Sequence, residues 1–322
     1  MAEFLERNGA KIRLGLIGIG KIARDQHVPA ITASPDFDLV ATASRDGSIA
    51  GIPAYRDVAE MLAGGHDIDA ISIATPPSGR HLIAAQAIAA RLPVMVEKPP
   101  AATLTQLDDL AAQALVAGVG LFTAWHSREA NAVSAAREWL SSRTIQAVRI
   151  IWREDIRRWH PNQEWILDAG GFGVFDPAIN ALSILTHICP APVRVERAEL
   201  DVPENRQCPI AAQLAMVAGS APVHAEFDFL KTGEQTWTIM VETEQDVLEL
   251  REGGRILAID GVERECGADR EYARLYQRFA ELVRSGASDV DDRPLRIVSD
   301  ALSTGRRRRV APFYFDPAMV RA

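Results

Sequence analysis

A change of rhythm near residue 125 constrains this chain more than any other feature. Between residues 12 and 123, short apolar runs alternate with longer amphipathic stretches, the pattern of repeated strand–helix–strand units around a parallel sheet. Strands are expected at 12–17, 37–43, 70–74, 94–96 and 120–123. Helices are expected at 58–63, 81–90 and 104–117, the last with Thr103 as N-cap. After residue 125 come a helix at 132–141, a strand at 145–152, an irregular region and a helix at 177–187. Six runs then alternate apolar and polar residues, at 193–200, 210–217, 223–229, 237–242, 247–251 and 256–259, as half-buried antiparallel strands do. Helices at 270–284 and 295–303 close the chain. The expected class is α/β. A doubly wound parallel sheet occupies residues 1–125. An α+β domain on a large, mostly antiparallel open sheet occupies 126–322, with the last helix and tail able to pack back on the first domain.

Composition narrows the function. The chain has 322 residues, enough for two domains at about 150 residues each. A net charge of −8 gives no broad positive field for nucleic acid, so a small-molecule partner is expected. The opening residues lack the apolar core of a signal peptide and no 18-residue apolar stretch follows, so the chain is expected in the cytoplasm, away from membranes. Cys189, Cys208 and Cys266 are far apart and read as small core residues, and the seven histidines show no metal-ligand spacing; no metal is expected. Arg306 to Arg309, the one basic block, reads as a solvated, salt-bridged face or a subunit contact. An open antiparallel sheet needs covering, and a homo-oligomer through the C-terminal sheet is the expected solution.

The first strand runs into Gly18-Ile19-Gly20-Lys21-Ile22-Ala23, a G-x-G-x-x-A turn that opens a helix. Gly18 permits the tight turn, Gly20 lets the backbone approach a pyrophosphate, and Ala23 allows close helix packing. At the end of the second strand, where an acidic residue would hold an NAD ribose, stand Ser44 and Arg45. A hydroxyl and a guanidinium suit a 2′-phosphate, so NADP is expected ahead of NAD. The alternative, a solvated Arg45 with Asp46 serving NAD, stays open. Lys98 follows the fourth strand, at the sheet edge where ligands of such folds bind. Asp176 and Asn180 are four apart on one helix and share a face. Three of the six tryptophans, Trp152, Trp159 and Trp165, fall close together.

The fingerprint at residues 15–31, Thr75-Pro76-Pro77 with His81, Glu97-Lys98-Pro99-Pro100, and the run from Gly170 through Asp176 and Asn180 resemble the Gfo/Idh/MocA oxidoreductases over nearly the whole chain. Residues 125–128, 157–161 and 173–184 resemble the aldose 1-dehydrogenases among them. The resemblance implies a Rossmann domain in which the Gly18–Ile22 turn, Ser44, Arg45, Thr75, Pro76, Pro77, His81, Glu97 and Lys98 hold the cofactor. It implies Lys98, Asp176 and Asn180 as catalytic residues. In the broad family a histidine usually stands four residues after the aspartate; here it is Asn180, which cannot titrate, so the proton falls to Asp176 or Lys98. Sugars pack apolar C–H faces on aromatic rings, which gives Trp159, Trp165 and Trp237 a use as walls, with Glu154, His160 and His126 bonding hydroxyls. The implied reaction oxidises C1 of a pyranose (L-arabinose, D-galactose or D-fucose) to the aldonolactone. Oxidation of an inner sugar or inositol hydroxyl is the alternative, and a non-catalytic NADP-sensing regulator a more distant one.

Overall fold

The computed structural model describes residues 10–316. The chain forms two compact units, one from the residues up to His126 together with Arg270–Asp292, the other from Ser127–Asp269 with the residues from Arg293 onward.

The first unit is built on six parallel strands: β1 (Ile12–Ile17), β2 (Phe37–Ala43), β3 (Ala54–Tyr55), β4 (Ala70–Ile73), β5 (Val94–Glu97) and β6 (Leu121–Ala124). Their order is β3-β2-β1-β4-β5-β6, so the direction of winding reverses between β1 and β4. β4, β5 and β6 are buried at every residue, as parallel strands covered on both faces must be. Side-chain caps fix the helix starts: Asp57 accepts from the Glu60 amide and Thr103 from the Gln106 amide. Gly118, in the left-handed region at φ 69°, ends Leu104–Ala117.

Besides the added two-residue strand β3, two features of this unit differ from expectation. The helix Glu271–Ser285, expected with the second domain, belongs to the first. Its apolar stripe of Tyr272, Leu275, Tyr276 and Phe279 joins the core that holds Leu14, Leu16, Phe37 and Phe122. Phe279 stacks on Phe37 at 5.8 Å and on Phe122 at 6.2 Å between ring centroids. The second difference is a π-helical turn, Ala23–His27, before the helix Val28–Ala33. No residue pattern announces such a turn.

The second unit carries nine strands: β7 (Ile145–Arg153), β8 (Val193–Pro203), β9 (Ala211–Ala218), β10 (Ala221–Asp228), β11 (Thr236–Thr243), β12 (Val247–Arg251), β13 (Ile256–Ile259), β14 (Val262–Arg264) and β15 (Arg306–Val310). The order is β14-β13-β12-β11-β7-β10-β9-β8-β15. Neighbours are antiparallel except for β7 with β10 and β8 with β15. The helix Phe175–Ile188, buried along nearly its whole length, packs on β7 and β11 and against Val133–Leu140 and Arg293–Thr304. The basic block is itself the edge strand β15, in which Arg308 grips Asp201 through two bonds of 2.7 and 2.6 Å. The last helix and the tail up to residue 316 lie with the second unit. Cys189 and Cys208 are buried, burial pushing their thiols up to about 12 and about 11; Cys266 is half-exposed, so only two of the three cysteines are core residues. Among the described residues no helix is long and apolar enough to cross a membrane.

Phe279→Ala should cost about 3–5 kcal/mol, whereas Gln277→Ala on the exposed side of the same helix should stay within about 0.5 kcal/mol. Urea denaturation of both variants checks this, and equal values would remove the helix from the first core.

Candidate active site

In the first unit the chemistry collects at the C-terminal ends of β1, β2, β4 and β5. Gly18 has φ 89°, and a Cβ on it would lie 2.8 Å from the Thr75 amide nitrogen and 2.9 Å from the Ala74 carbonyl carbon. Only glycine lets the turn after β1 touch the end of β4. A Cβ on Gly20, by contrast, would meet nothing within 4 Å. Beside this opening, Thr75 Oγ1 and His81 Nδ1 are buried with no hydrogen-bond partner among the described residues. Buried polar atoms are rarely left so, and ligand atoms commonly complete them. A glycine cradle with two buried atoms awaiting partners fits a dinucleotide. Ile19 is buried, Ile22 is exposed, and Lys21 pairs with Asp25. Ser44 is half-buried after β2 and Arg45 is exposed. Arg24 donates to the Ser48 carbonyl at 3.2 Å and so brings a second guanidinium to that loop.

Lys98 directly follows β5 and is joined to Pro99 by a cis peptide bond. Glu97, expected among the cofactor contacts, turns its carboxylate inward instead. It accepts from Tyr272 Oη at 2.6 Å and from the Lys98 amide at 2.7 Å, and lies 3.2 Å from His27 Nε2. Burial works against its charge, but the His27 contact, the charges of His27 and His126 and the Tyr272 bond together hold the carboxyl far below the usual carboxylate range. Burial and the Glu97 charge in turn push the Tyr272 hydroxyl well above its ordinary value. His27 Nδ1 reaches Tyr276 Oη at 2.7 Å. His126, expected to face a sugar, belongs to the first unit, stacked on Tyr272 with Nδ1 2.8 Å from Glu271. Arg80 is buried and donates to the carbonyls of Thr75, Glu97 and Pro99, tying the loop after β4 to the loop after β5.

His27, Arg80, Tyr272 and Tyr276 were not singled out in the sequence. His27 needs the π-helical turn to aim it, and two tyrosines four apart on an amphipathic helix look like ordinary core. Arg80 opens its helix directly after Gly79 at φ 79° and is buried there, a setting that no residue pattern discloses.

In the second unit a compact polar group forms where the parallel strands β7 and β10 end. Glu154 follows β7, its amide bonded to the Asp228 carbonyl at 2.8 Å. Its carboxylate accepts from Trp237 Nε1 at 2.9 Å. His160 closes the single-turn helix Ile156–Trp159, and its Nε2 lies 3.5 Å from Glu154 Oε1 and 3.9 Å from Asp176 Oδ2. Both carboxylates are more than nine-tenths buried, while the His160 side chain is 20% exposed. Asp176 sits in the first turn of Phe175–Ile188 and Asn180, half-buried, one turn on, the shared face expected from their spacing. Trp159 and Trp237 meet edge to face at 5.4 Å, and Trp159 is 37% exposed. The expected residues Glu154, Trp159, His160, Asp176 and Trp237 therefore come together. Trp165 is half-buried in Glu164–Leu167, and Trp152 is a core residue paired across the sheet with Trp237. Among the described residues no group of three His, Cys, Asp or Glu side chains is placed to hold a metal ion.

Residues 12–125 match the model of the Gfo/Idh/MocA oxidoreductase family with an NAD-binding Rossmann fold. A galactose 1-dehydrogenase of Pseudomonas fluorescens is 45% identical over 319 residues, which is 94% of this chain and 99% of the relative. The chain belongs to this oxidoreductase family. A D-galactose-1-dehydrogenase structure from Rhizobium etli superposes with a TM-score of 0.90 at 50% identity, covering 94% of this chain and 98% of that one. A 3-ketoreductase from Actinomadura kijaniata, solved with TDP-benzene and NADP, shares the fold at a TM-score of 0.78 and 18% identity, over 94% and 100% of the two chains.

Glu97 carries a testable pH signature. Because its folded pKa is depressed, it contributes stability that is fully present above the unfolded value of about 4.3 and lost as pH falls below it. Glu97→Gln should lose about 2 kcal/mol or more at pH 7, and its deficit against the parent should shrink on going from pH 5 to pH 3. Urea melts across that range check the sign; a deficit that grows with acid would contradict it.

Proposed function

We propose that this oxidoreductase is an aldose 1-dehydrogenase that oxidises C1 of a pyranose such as D-galactose, L-arabinose or D-fucose to the aldonolactone, with NADP preferred over NAD. The observation that carries the reading is His160 poised beside two buried carboxylates, Glu154 and Asp176, under the Trp159–Trp237 pair. Such a set has acceptors and a titratable donor for vicinal hydroxyls and a ring face for sugar C–H groups, the recognition chemistry of a pyranose.

In the reaction the anomeric O1–H bond and the C1–H bond both break while the C1=O1 bond forms. A nicotinamide held by the first unit would supply the acceptor for the two electrons that leave the C1–H bond as hydride. Asp176 accepts the O1 proton, and Lys98 is the alternative acceptor. Glu154, held in place by Trp237 Nε1, and His160 orient the ring hydroxyls. Asn180, an amide, orients only. The indoles keep water from the reacting carbon. In the first unit Gly18, Ile19, Gly20, Lys21 and Ile22 form the turn assigned to the pyrophosphate, and the buried atoms of Thr75 and His81 that lack a partner among the described residues support a ligand there. Pro76 and Pro77 shape the loop between them. Ser44 and the exposed Arg45 are assigned the 2′-phosphate, with a charge-assisted fork that a lone ribose cannot use.

Asp176→Ala and Lys98→Ala should each lower kcat by about a hundredfold or more while NADP still binds. Steady-state assays on an aldose panel, read as reduced-cofactor absorbance, with product analysis for lactone, decide this. Near-parental turnover in both variants, or oxidation at an inner hydroxyl, would overturn the assignment. Arg45→Ala should raise the KM for NADP about tenfold or more, the loss of one charged hydrogen bond, with that for NAD little changed. An equal rise for both would remove the preference.

A further inference from the structure

The segment that carries Trp159 and His160 cannot hold itself. Ile156–Trp159 is one turn of helix, capped by Asp155 accepting from the Arg157 amide, and helices so short are unstable alone. The segment continues through an exposed turn at residues 161 and 162, where Asn162 has φ 59°, to the equally short Glu164–Leu167. Gln235 supplies one tie, its Oε1 accepting from the Asp155 amide at 2.6 Å and from Trp159 Nε1 at 3.3 Å.

The second tie comes from the other end of the chain. After β15, the residues that follow Val310 cross back over this segment. Arg157 donates from Nε to the Phe315 carbonyl at 3.1 Å and from Nη2 to the Tyr314 carbonyl at 2.8 Å, with its guanidinium carbon 4.5 Å from the Phe313 ring centroid. Asn205 brackets Phe313, donating to its carbonyl at 3.0 Å and accepting from its amide at 2.9 Å. Arg206 donates to the same carbonyl at 3.2 Å and pairs with Glu164 of the second short helix. Phe313 and Phe315, 5% and 9% exposed, pack edge to face at 5.3 Å. Five directional bonds and two buried rings are far more than an idle tail requires.

We propose that the C-terminal segment 313–316 is a strap that sets the sugar affinity of this enzyme, and that Arg157 is the positioning residue through which it acts on His160 and Trp159. Arg157 touches no reacting atom. It fixes the turn of helix that ends at His160 Nε2, whose spacing to Glu154 and Asp176 the sugar hydroxyls must match within about half an ångström. A guanidinium reaches both carbonyls at once; an ammonium, a single point donor, cannot.

The inference rests on the reading of the Glu154–His160–Asp176 group as the sugar site. Its test is a steady-state comparison of Arg157→Ala and Arg157→Lys in the full-length chain, with aldose and NADP varied separately. For Arg157→Ala the aldose KM should rise about tenfold, a loss of about 1.4 kcal/mol, with kcat within threefold and the NADP KM within twofold of the parent. Arg157→Lys, which keeps the charge and the stem packing, should fall between the two. An aldose KM within twofold of the parent in both variants overturns the strap, and so does an NADP KM that rises in parallel, since that marks a general loss of folding. Asp176→Ala run alongside separates the layers: if it retains turnover, the reading of the site falls whatever Arg157 does.

Discussion

Glu97 carries a negative charge where water does not reach, and two segments distant in sequence together with its own chain neighbour supply what that requires. An ionised carboxylate removed from solvent costs several kcal/mol unless donors surround it. Here they are His27, delivered by the turn after β1, Tyr272, delivered by a helix that returns after residues 127–269 of the second unit, and the amide of Lys98. The last of these joins the buried charge to function, because the group that holds Glu97 also sets the backbone from which Lys98 projects. Arg80 braces that backbone from the other side through the carbonyls of Glu97 and Pro99. The glycine turn, the lysine loop and the returning helix are thus parts of one arrangement rather than three neighbours.

Much of the fold was legible because burial writes a period into sequence. β1, β2 and Leu104–Ala117 lie where the apolar runs place them, and the alternation after residue 190 became six strands, β8 to β13, of the nine-stranded sheet. What stayed hidden had no period to write. The π-helical turn is five residues whose hydrogen bonds skip one place further than usual, and β15 is an arginine run that became a strand because β8 offered it a free edge. The assignment of Glu271–Ser285 failed for a different reason: an apolar stripe says that a helix is covered but not by which core.

The candidate site divides along the same line. Glycine positions and the Asp176/Asn180 spacing could be read directly, since both are statements about local geometry. Glu154, His160 and Trp237 come from a strand end, a one-turn helix and a neighbouring strand, and only the antiparallel pairing of β7 with β11, Trp152 opposite Trp237, brings Trp237 to the end of β7. Glu97 stood among the cofactor residues that the family resemblance implies; its carboxylate is instead engaged by Tyr272, 175 residues away in sequence.

The first unit is discontinuous, with Ser127–Asp269 threaded between its two parts. A ribosome therefore releases six parallel strands long before it releases the helix that covers one face of them. Until Tyr276 and Phe279 emerge, the strands expose the apolar surface around Phe37 and Phe122, and His27 and Glu97 lack their hydroxyl partners. The usual order, in which an N-terminal domain folds while the rest is still being made, does not apply to this chain. Its nascent form keeps that face uncovered until Glu271–Ser285 has been made, and a copy cut short before residue 271 lacks the closing helix of one unit and the edge strand of the other.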